Sequence, residues 1–254
     1  MRILLSNDDG IMSPGILTLK EALEKKHEVW VSAPDRERSG TSHSITLHEP
    51  VRFRKKEERM YECTGSPADT VLYALLGALP MKPELIISGI NRGPNLGTDI
   101  IYSGTAAAAR QGALMGIPSI AVSAAPLEPP YPFVEAARFI ADNIDILYGL
   151  WGSDHFVNIN FPAASQQGYP VEITHPSRRI YSDKADGCAS PNGDVYYFLT
   201  GDPIHAREEE GSDWNAIQAG KISISPVYLH PINHRVIHAY QAAEFRVEVA
   251  EGDG

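Results

Sequence analysis

Short, wholly apolar runs alternate with longer amphipathic stretches along the first half of the chain. Arg2–Ser6 carries Ile3-Leu4-Leu5, and Glu28–Ala33 carries a second run stopped by Pro34. Leu85–Ser88 and Pro118–Ser123 repeat the pattern. Between them apolar residues recur at helical spacing. Ile16, Leu17, Leu19, Ala22 and Leu23 do so within Pro14–Lys26, and Val71, Leu72, Leu75 and Leu76 after Ser66-Pro67. Ala106–Met115 and Phe133–Tyr148 predict two further helices. Strands that are apolar throughout are covered on both faces. The alternation therefore predicts an α/β fold with an open, doubly wound, mostly parallel sheet.

The texture changes after about Asn160. Arg178–Tyr181 and Val195–Leu199 read as the strands of a hairpin, with Ser190-Pro191-Asn192-Gly193-Asp194 as its turn. The acidic segment Arg207–Asp213 leads to a predicted helix, Trp214–Ala219, and a strand, Lys221–Ser225. The acidic, glycine-containing end Val247–Gly254 is expected to fray.

Composition narrows the function classes. The 254 residues carry 22 Lys+Arg against 32 Asp+Glu, a net charge of -10, which argues against a broad nucleic-acid surface. A small anion held locally stays open. Two cysteines, Cys63 and Cys188, lie far apart without metal-type spacing, so a reducing compartment is the expectation. No apolar segment approaches the roughly 18 residues a spanning helix needs. A cytoplasmic protein with no membrane partner is expected.

Ligands of a doubly wound sheet bind beyond the carboxyl ends of its strands, and those ends carry unusual polar material here. The first strand runs into Asn7-Asp8-Asp9-Gly10, where Gly10 lets the chain turn away. The second leads into Asp35–His43, the third into Ser88–Gly97, and Tyr102-Ser103-Gly104-Thr105 opens a helix. Carboxylates, amide oxygens and hydroxyls are hard donors suited to Mg²⁺, Mn²⁺ or Ca²⁺. The helix start at Ser103 offers hydroxyls and free N–H groups to a phosphate. Each piece also has a plain structural use: Asp8-Asp9-Gly10 as a turn, Asn91 and Asn95 as loop residues, Ser103 as a helix cap. Their convergence on one sheet edge favours metal-assisted hydrolysis of a phosphate ester.

Ser6–Gly10, Ala33–Gly40, Thr64–Asp69, Ser88–Gly97 and Tyr102–Thr105 resemble, in order, segments of the SurE (survival protein E) family. Gly220–Pro226 is similar to that family's Gly-Tyr-Val-Ser-Ile-Thr-Pro segment, with Lys221 in place of the tyrosine. The resemblance implies a 5'-nucleotidase, using one divalent ion (Mg²⁺ or Mn²⁺), that releases phosphate from nucleoside monophosphates and in some members trims polyphosphate. It implies Asp8, Asp9, Ser39 and Asn91 as metal ligands, with Asn95, Ser103, Gly104 and Thr105 lining the phosphate pocket. It further implies a Rossmann-like core over residues 1–160. Residues 161–254 would supply a β-hairpin and a C-terminal arm, about Trp214–Pro231, exchanged within a homodimer or homotetramer.

The expected chemistry is attack on phosphorus by a metal-activated water, with Asp8 or Asp9 as catalytic carboxylates and His43 serving the leaving alcohol. An aspartyl-phosphate route is the enzymatic rival. A signalling receiver would want an acceptor Asp after the third strand, where Ser88-Gly89-Ile90-Asn91 stands, and a Lys that Ala121–Pro130 lacks. A nucleotide- or phosphate-binding regulator without turnover is the remaining alternative.

Overall fold

Residues 1–163, 168–201, 205–230 and 236–243 are described by a computed structural model. In β1 (Arg2–Ser6) the pleat sends Ile3 and Leu5 to one face and Leu4 to the other. The first face is covered by α1 (Pro14–Leu23) and by the later helix Phe133–Gly149; the second by the helices Pro67–Tyr73 and Gly104–Leu114. β2 (Glu28–Pro34) pairs parallel to β1. A hairpin of β3 (Phe53–Glu57) and β4 (Met60–Cys63) then adds to the far side of β2.

α2 (Pro67–Tyr73) begins with a capping box, in which Ser66 and Asp69 satisfy each other's backbone N–H groups. A further turn, Ala74–Ala78, follows and is broken at Gly77, whose φ is +117°. β5 (Leu85–Arg92) pairs with the other side of β1, and a 3₁₀ turn at Gly97–Ile101 precedes α3 (Gly104–Leu114). β6 (Ser119–Ala124), α4 (Phe133–Gly149) and β7 (His155–Phe161) complete the parallel wind.

The remaining elements are β8 (Val171–Ile173), β9 (Arg179–Ile180), β10 (Asp183–Ala189), β11 (Val195–Gly201), β12 (His205–Ala206), α5 (Asp213–Gln218), β13 (Ile222–Tyr228) and α6 (Ile237–Gln241). The main sheet runs β3-β4-β2-β1-β5-β6-β7-β13-β8. The order reverses direction at β1, as doubly wound sheets do, and loops after β1, β2 and β5 meet at one edge.

Several expectations need correcting. The partner of β11 is β10, not Arg178–Tyr181, although the turn lies where predicted. Asp183-Lys-Ala-Asp-Gly-Cys-Ala has little strand character, and its pairing comes from the turn and from β11. Arg179–Ile180 pairs instead with His205–Ala206. Within this chain β13, part of the segment expected to be exchanged between subunits, lies between β7 and β8. Pro231, the expected end of that segment, and Val247–Gly254 lie outside the described residues. Among the described residues no helix is long and apolar enough to cross a membrane. Both cysteines are free, and burial pushes the Cys63 thiol up to about 12.

Candidate active site

Asp8 follows the end of β1, where the chain turns at Gly10 with φ +99°. A side chain at Gly10 would press on the Arg36 backbone, only 3.3 Å away. The loops after β1 and β2 are thus in contact, and the Arg38 N–H donates to the Asp8 carbonyl at 2.7 Å.

The Asp8 carboxylate is 4% exposed and lies against the first turn of α3, where the Thr105 hydroxyl donates to its Oδ1. Gly104 makes that approach possible. A Cβ there would stand 2.7 Å from Asp8 Cβ and 2.9 Å from Oδ2. Burial pushes the Asp8 pKa up to about 6, against the pull of the Thr105 hydrogen bonds and with a smaller push from Asp9. Among the described residues no basic side chain pairs with Asp8. A buried carboxylate without a counter-ion is a place where a cation is favourable.

Asp9 faces a different neighbour. The Arg92 backbone N–H donates to its Oδ2, and Arg92 Nε to its Oδ1, both at 3.2 Å. Burial raises the Asp9 pKa while Arg92 opposes the rise. Asp9 and Arg92 line an open cavity of about 360 Å³ with Gly10, Asp35, Arg36 and Glu62.

Asn91 and Arg92 reach this edge through a bulge. The register of β5 on β6 shifts between Ser88 and Asn91, so β5 holds one extra residue there. Gly89 carries the irregularity at φ +134°, and a Cβ would meet the Val122 carbonyl oxygen at 2.2 Å. Asn91 Nδ2 donates to the Gly93 carbonyl at 2.9 Å, which leaves its Oδ1 as the group available to a cation.

The other expected residues are placed less directly. Ser39 is exposed and donates to Glu37 Oε1 at 3.0 Å; it shares the Asp8 loop contact only through its neighbour Arg38. Ser103 accepts from the Ala106 N–H at 2.9 Å and so caps α3. The Thr105 hydroxyl is taken by Asp8. His43 Nε2 lies 2.9 Å from Gln111 Oε1 on α3, and burial lowers its pKa, so it is neutral near pH 7. The loop that carries it is fixed at both ends. Ser42 donates to the Ile101 and Tyr102 carbonyls, and Thr46 donates twice to Asp69.

Asn95 is held in a buried amide cluster with Ser123, Asn158 and Asn160. Sequence reasoning missed the last two, and Arg92 as the partner of Asp9. A signal existed for the pair: two asparagines at i and i+2 in the otherwise apolar Phe156–Phe161 share one face of a strand.

The arrangement is that of a doubly wound α/β protein with a paired-carboxylate cleft at the sheet's carboxyl edge, facing a helix N-terminus. The model of the family described as "Survival protein SurE" matches residues 3–183. The chain is 41% identical over 243 residues to the 5'-nucleotidase SurE of Geotalea uraniireducens (strain Rf4), covering 94% of this chain and 97% of that one. It is 42% identical over 242 residues to the 5'-nucleotidase SurE of Kosmotoga olearia, covering 92% and 94%. The crystal structure of the SurE protein from Aquifex aeolicus superposes with a TM-score of 0.83 at 37% identity, covering 95% of this chain and 98% of that one. The chain belongs to the SurE family.

Proposed function

We propose that the protein is a metal-dependent 5'-nucleotidase that hydrolyses nucleoside 5'-monophosphates to nucleoside and phosphate. The observation that carries this reading is Asp8: a carboxylate almost fully buried, without a counter-ion among the described residues, set against the start of α3. Relatives that carry the 5'-nucleotidase name over nearly the whole chain support it.

Asp8, Asp9, Ser39 and Asn91 would hold one divalent cation, Mg²⁺ or Mn²⁺, as hard oxygen donors. A cation bound there supplies Lewis-acid polarisation of a phosphoryl oxygen and acidification of water. Thr105 keeps Asp8 oriented, and the Asn91 Nδ2 bond to Gly93 leaves the amide oxygen for the ion. Arg92 neutralises Asp9 and competes for its oxygens. Asn95, Ser103, Gly104 and Thr105 line the phosphate pocket at the start of α3, the positive end of the helix dipole. Asp8 and Asp9 are the carboxylates proposed to manage the proton.

Residues 1–160 form the catalytic core in this reading, and 161–254 serve assembly into a homodimer or homotetramer. The β10–β11 hairpin supports that division, because Tyr196 and Phe198 on one face and Tyr197 and Leu199 on the other are all exposed. Two free cysteines fit a cytoplasmic setting.

Phosphate release from a panel of nucleoside monophosphates and short polyphosphates, with Mg²⁺, Mn²⁺ or chelator, tests the proposal. Turnover should require the metal and vanish in Asp8→Asn and Asp9→Asn. Activity that persists in chelator, or that survives both substitutions, refutes it.

A further inference from the structure

We infer that Asn158 and Asn160 are positioning residues that set the phosphate-binding geometry of Asn95. The inference rests on the proposed reading of Asn95 as part of the phosphate pocket and adds residues from a strand outside the four segments read as the site.

From Phe156 to Phe161 β7 is apolar except at these two positions, and both asparagines are 0% exposed. They share one face of the strand and meet the backbone of a single loop residue. Asn160 Oδ1 accepts from the Asn95 N–H at 2.9 Å, and Asn160 Nδ2 donates back to the Asn95 carbonyl at 3.0 Å. Asn158 Nδ2 donates to the same carbonyl at 2.9 Å. The polar backbone groups of Asn95, which no strand or helix engages, are therefore saturated by side chains of another strand. The side chain is held as well: Asn95 Nδ2 lies 2.7 Å from Ser123 Oγ, and Ser123 is the register partner of Asn160 on β6. Two residues on, the Gly97 N–H donates to Asp213 Oδ2 at 2.7 Å. The loop is thus nailed at Asn95 and again at Gly97, immediately before the 3₁₀ turn that delivers Ser103.

Stability alone does not account for the pair. Among the described residues Asn158 Oδ1 is buried without a hydrogen-bond partner, a desolvation cost that an apolar side chain of similar shape would avoid. The residue is kept polar where its amide fixes the orientation of Asn95. Ser123 can donate or accept, so Asn95 can turn either its oxygen or its NH₂ group toward the pocket while its backbone stays fixed.

The test uses the full-length, metal-loaded protein and inorganic phosphate as a competitive inhibitor of nucleoside monophosphate turnover. Asn158→Leu should raise the phosphate inhibition constant about tenfold and lower kcat/KM at least as much, with a thermal midpoint no lower than the parent. Asn160→Ser, which removes both of its bonds to Asn95, should give the same kinetic pattern more strongly. In an Asn95→Ala background, Asn158→Leu should have no further effect on phosphate affinity, whereas a general packing defect would add its full effect. Phosphate affinity that falls in Asn95→Ala but stays within twofold of the parent in both β7 variants overturns the inference alone. So does full additivity. Unchanged affinity in Asn95→Ala overturns the reading of Asn95 as a phosphate ligand, and the inference with it.

Discussion

The replacement Asp8→Asn should abolish turnover and yet stabilise the metal-free protein. In the folded chain the Asp8 pKa stands at about 6, against an ordinary value of 3.8, because burial disfavours the carboxylate. Below about pH 4 both folded and unfolded states are protonated there, and no penalty exists. Between about 4 and 6 the unfolded chain loses its proton first, so folding weakens as pH rises. Above that window the full penalty applies, about 3 kcal/mol at 1.36 kcal/mol per pKa unit. Asn carries no charge to desolvate and still offers Thr105 an oxygen. The variant should therefore exceed the parent at pH 7.5 in chelator by up to about 3 kcal/mol, or about 6–12 °C in thermal midpoint for a chain of this size. The advantage should shrink toward zero by pH 4. Saturating Mn²⁺ should reverse the order, because binding to the folded state stabilises only the protein that retains the ligand. Thermal unfolding of both proteins across pH 4–8, with and without Mn²⁺, measures all of this. A variant less stable than the parent at pH 7.5 in chelator, or a difference that does not change with pH, would refute the reasoning.

Arg92→Ala removes the cation that Asp9 now faces; Arg92 is 39% exposed, so the cost in chelator should be only about 1 kcal/mol by urea denaturation. Saturating Mn²⁺ should erase most of that difference. Gly104→Ala forces a Cβ into the 2.7 Å gap to Asp8 Cβ, and should cost about 1–3 kcal/mol as overpacking while lowering kcat/KM by more than a hundredfold in steady-state assays. His43 is neutral near pH 7 and bonded to Gln111, so His43→Asn should lower kcat less than tenfold and leave the acidic limb of the pH profile in place. Tyr197→Ser with Leu199→Ser, on one face of β11, should shift the assembly toward monomer by light scattering without changing the metal requirement.

Much of the fold was legible because the strands that build the sheet's centre are uninterrupted apolar runs. β1 falls at the predicted Arg2–Ser6, and α1, β2, α3, β6 and α4 begin or end within a few residues of expectation. What stayed hidden has physical reasons. β3 and β4 were not anticipated, because the charged Arg54–Glu57 of this edge hairpin stays in water and shows no apolar run. β5 seemed to stop at Ser88 because Gly89 looks like a breaker, although a bulge carries the strand on to Arg92. Of the candidate site, Asp8, Gly104 and Thr105 meet, because a strand end and a helix start are both marked in sequence. Ser39 lies on an exposed loop, bonded to Glu37 and joined to Asp8 through the Arg38 backbone. The links from Asp9 to Arg92 and from Asn95 to β7 span more than sixty positions, a distance at which spacing carries no information.

The place of β13 in the sheet bears on how the chain folds as it leaves the ribosome. β7 ends at Phe161, but the strand that covers its outer side begins at Ile222, roughly 60 residues later. At about 5–20 residues per second, that edge waits some 3–12 s during synthesis with its N–H and C=O groups unpaired. β8 emerges in the interval before its partner exists, because among the described residues its ladder is to β13. Asn7–Thr105 is complete well before this, so the carboxylate cleft can assemble on an unfinished sheet. Its last strand to be made slots between two already present, and premature pairing at the open edge of β7 is the characteristic hazard of this topology.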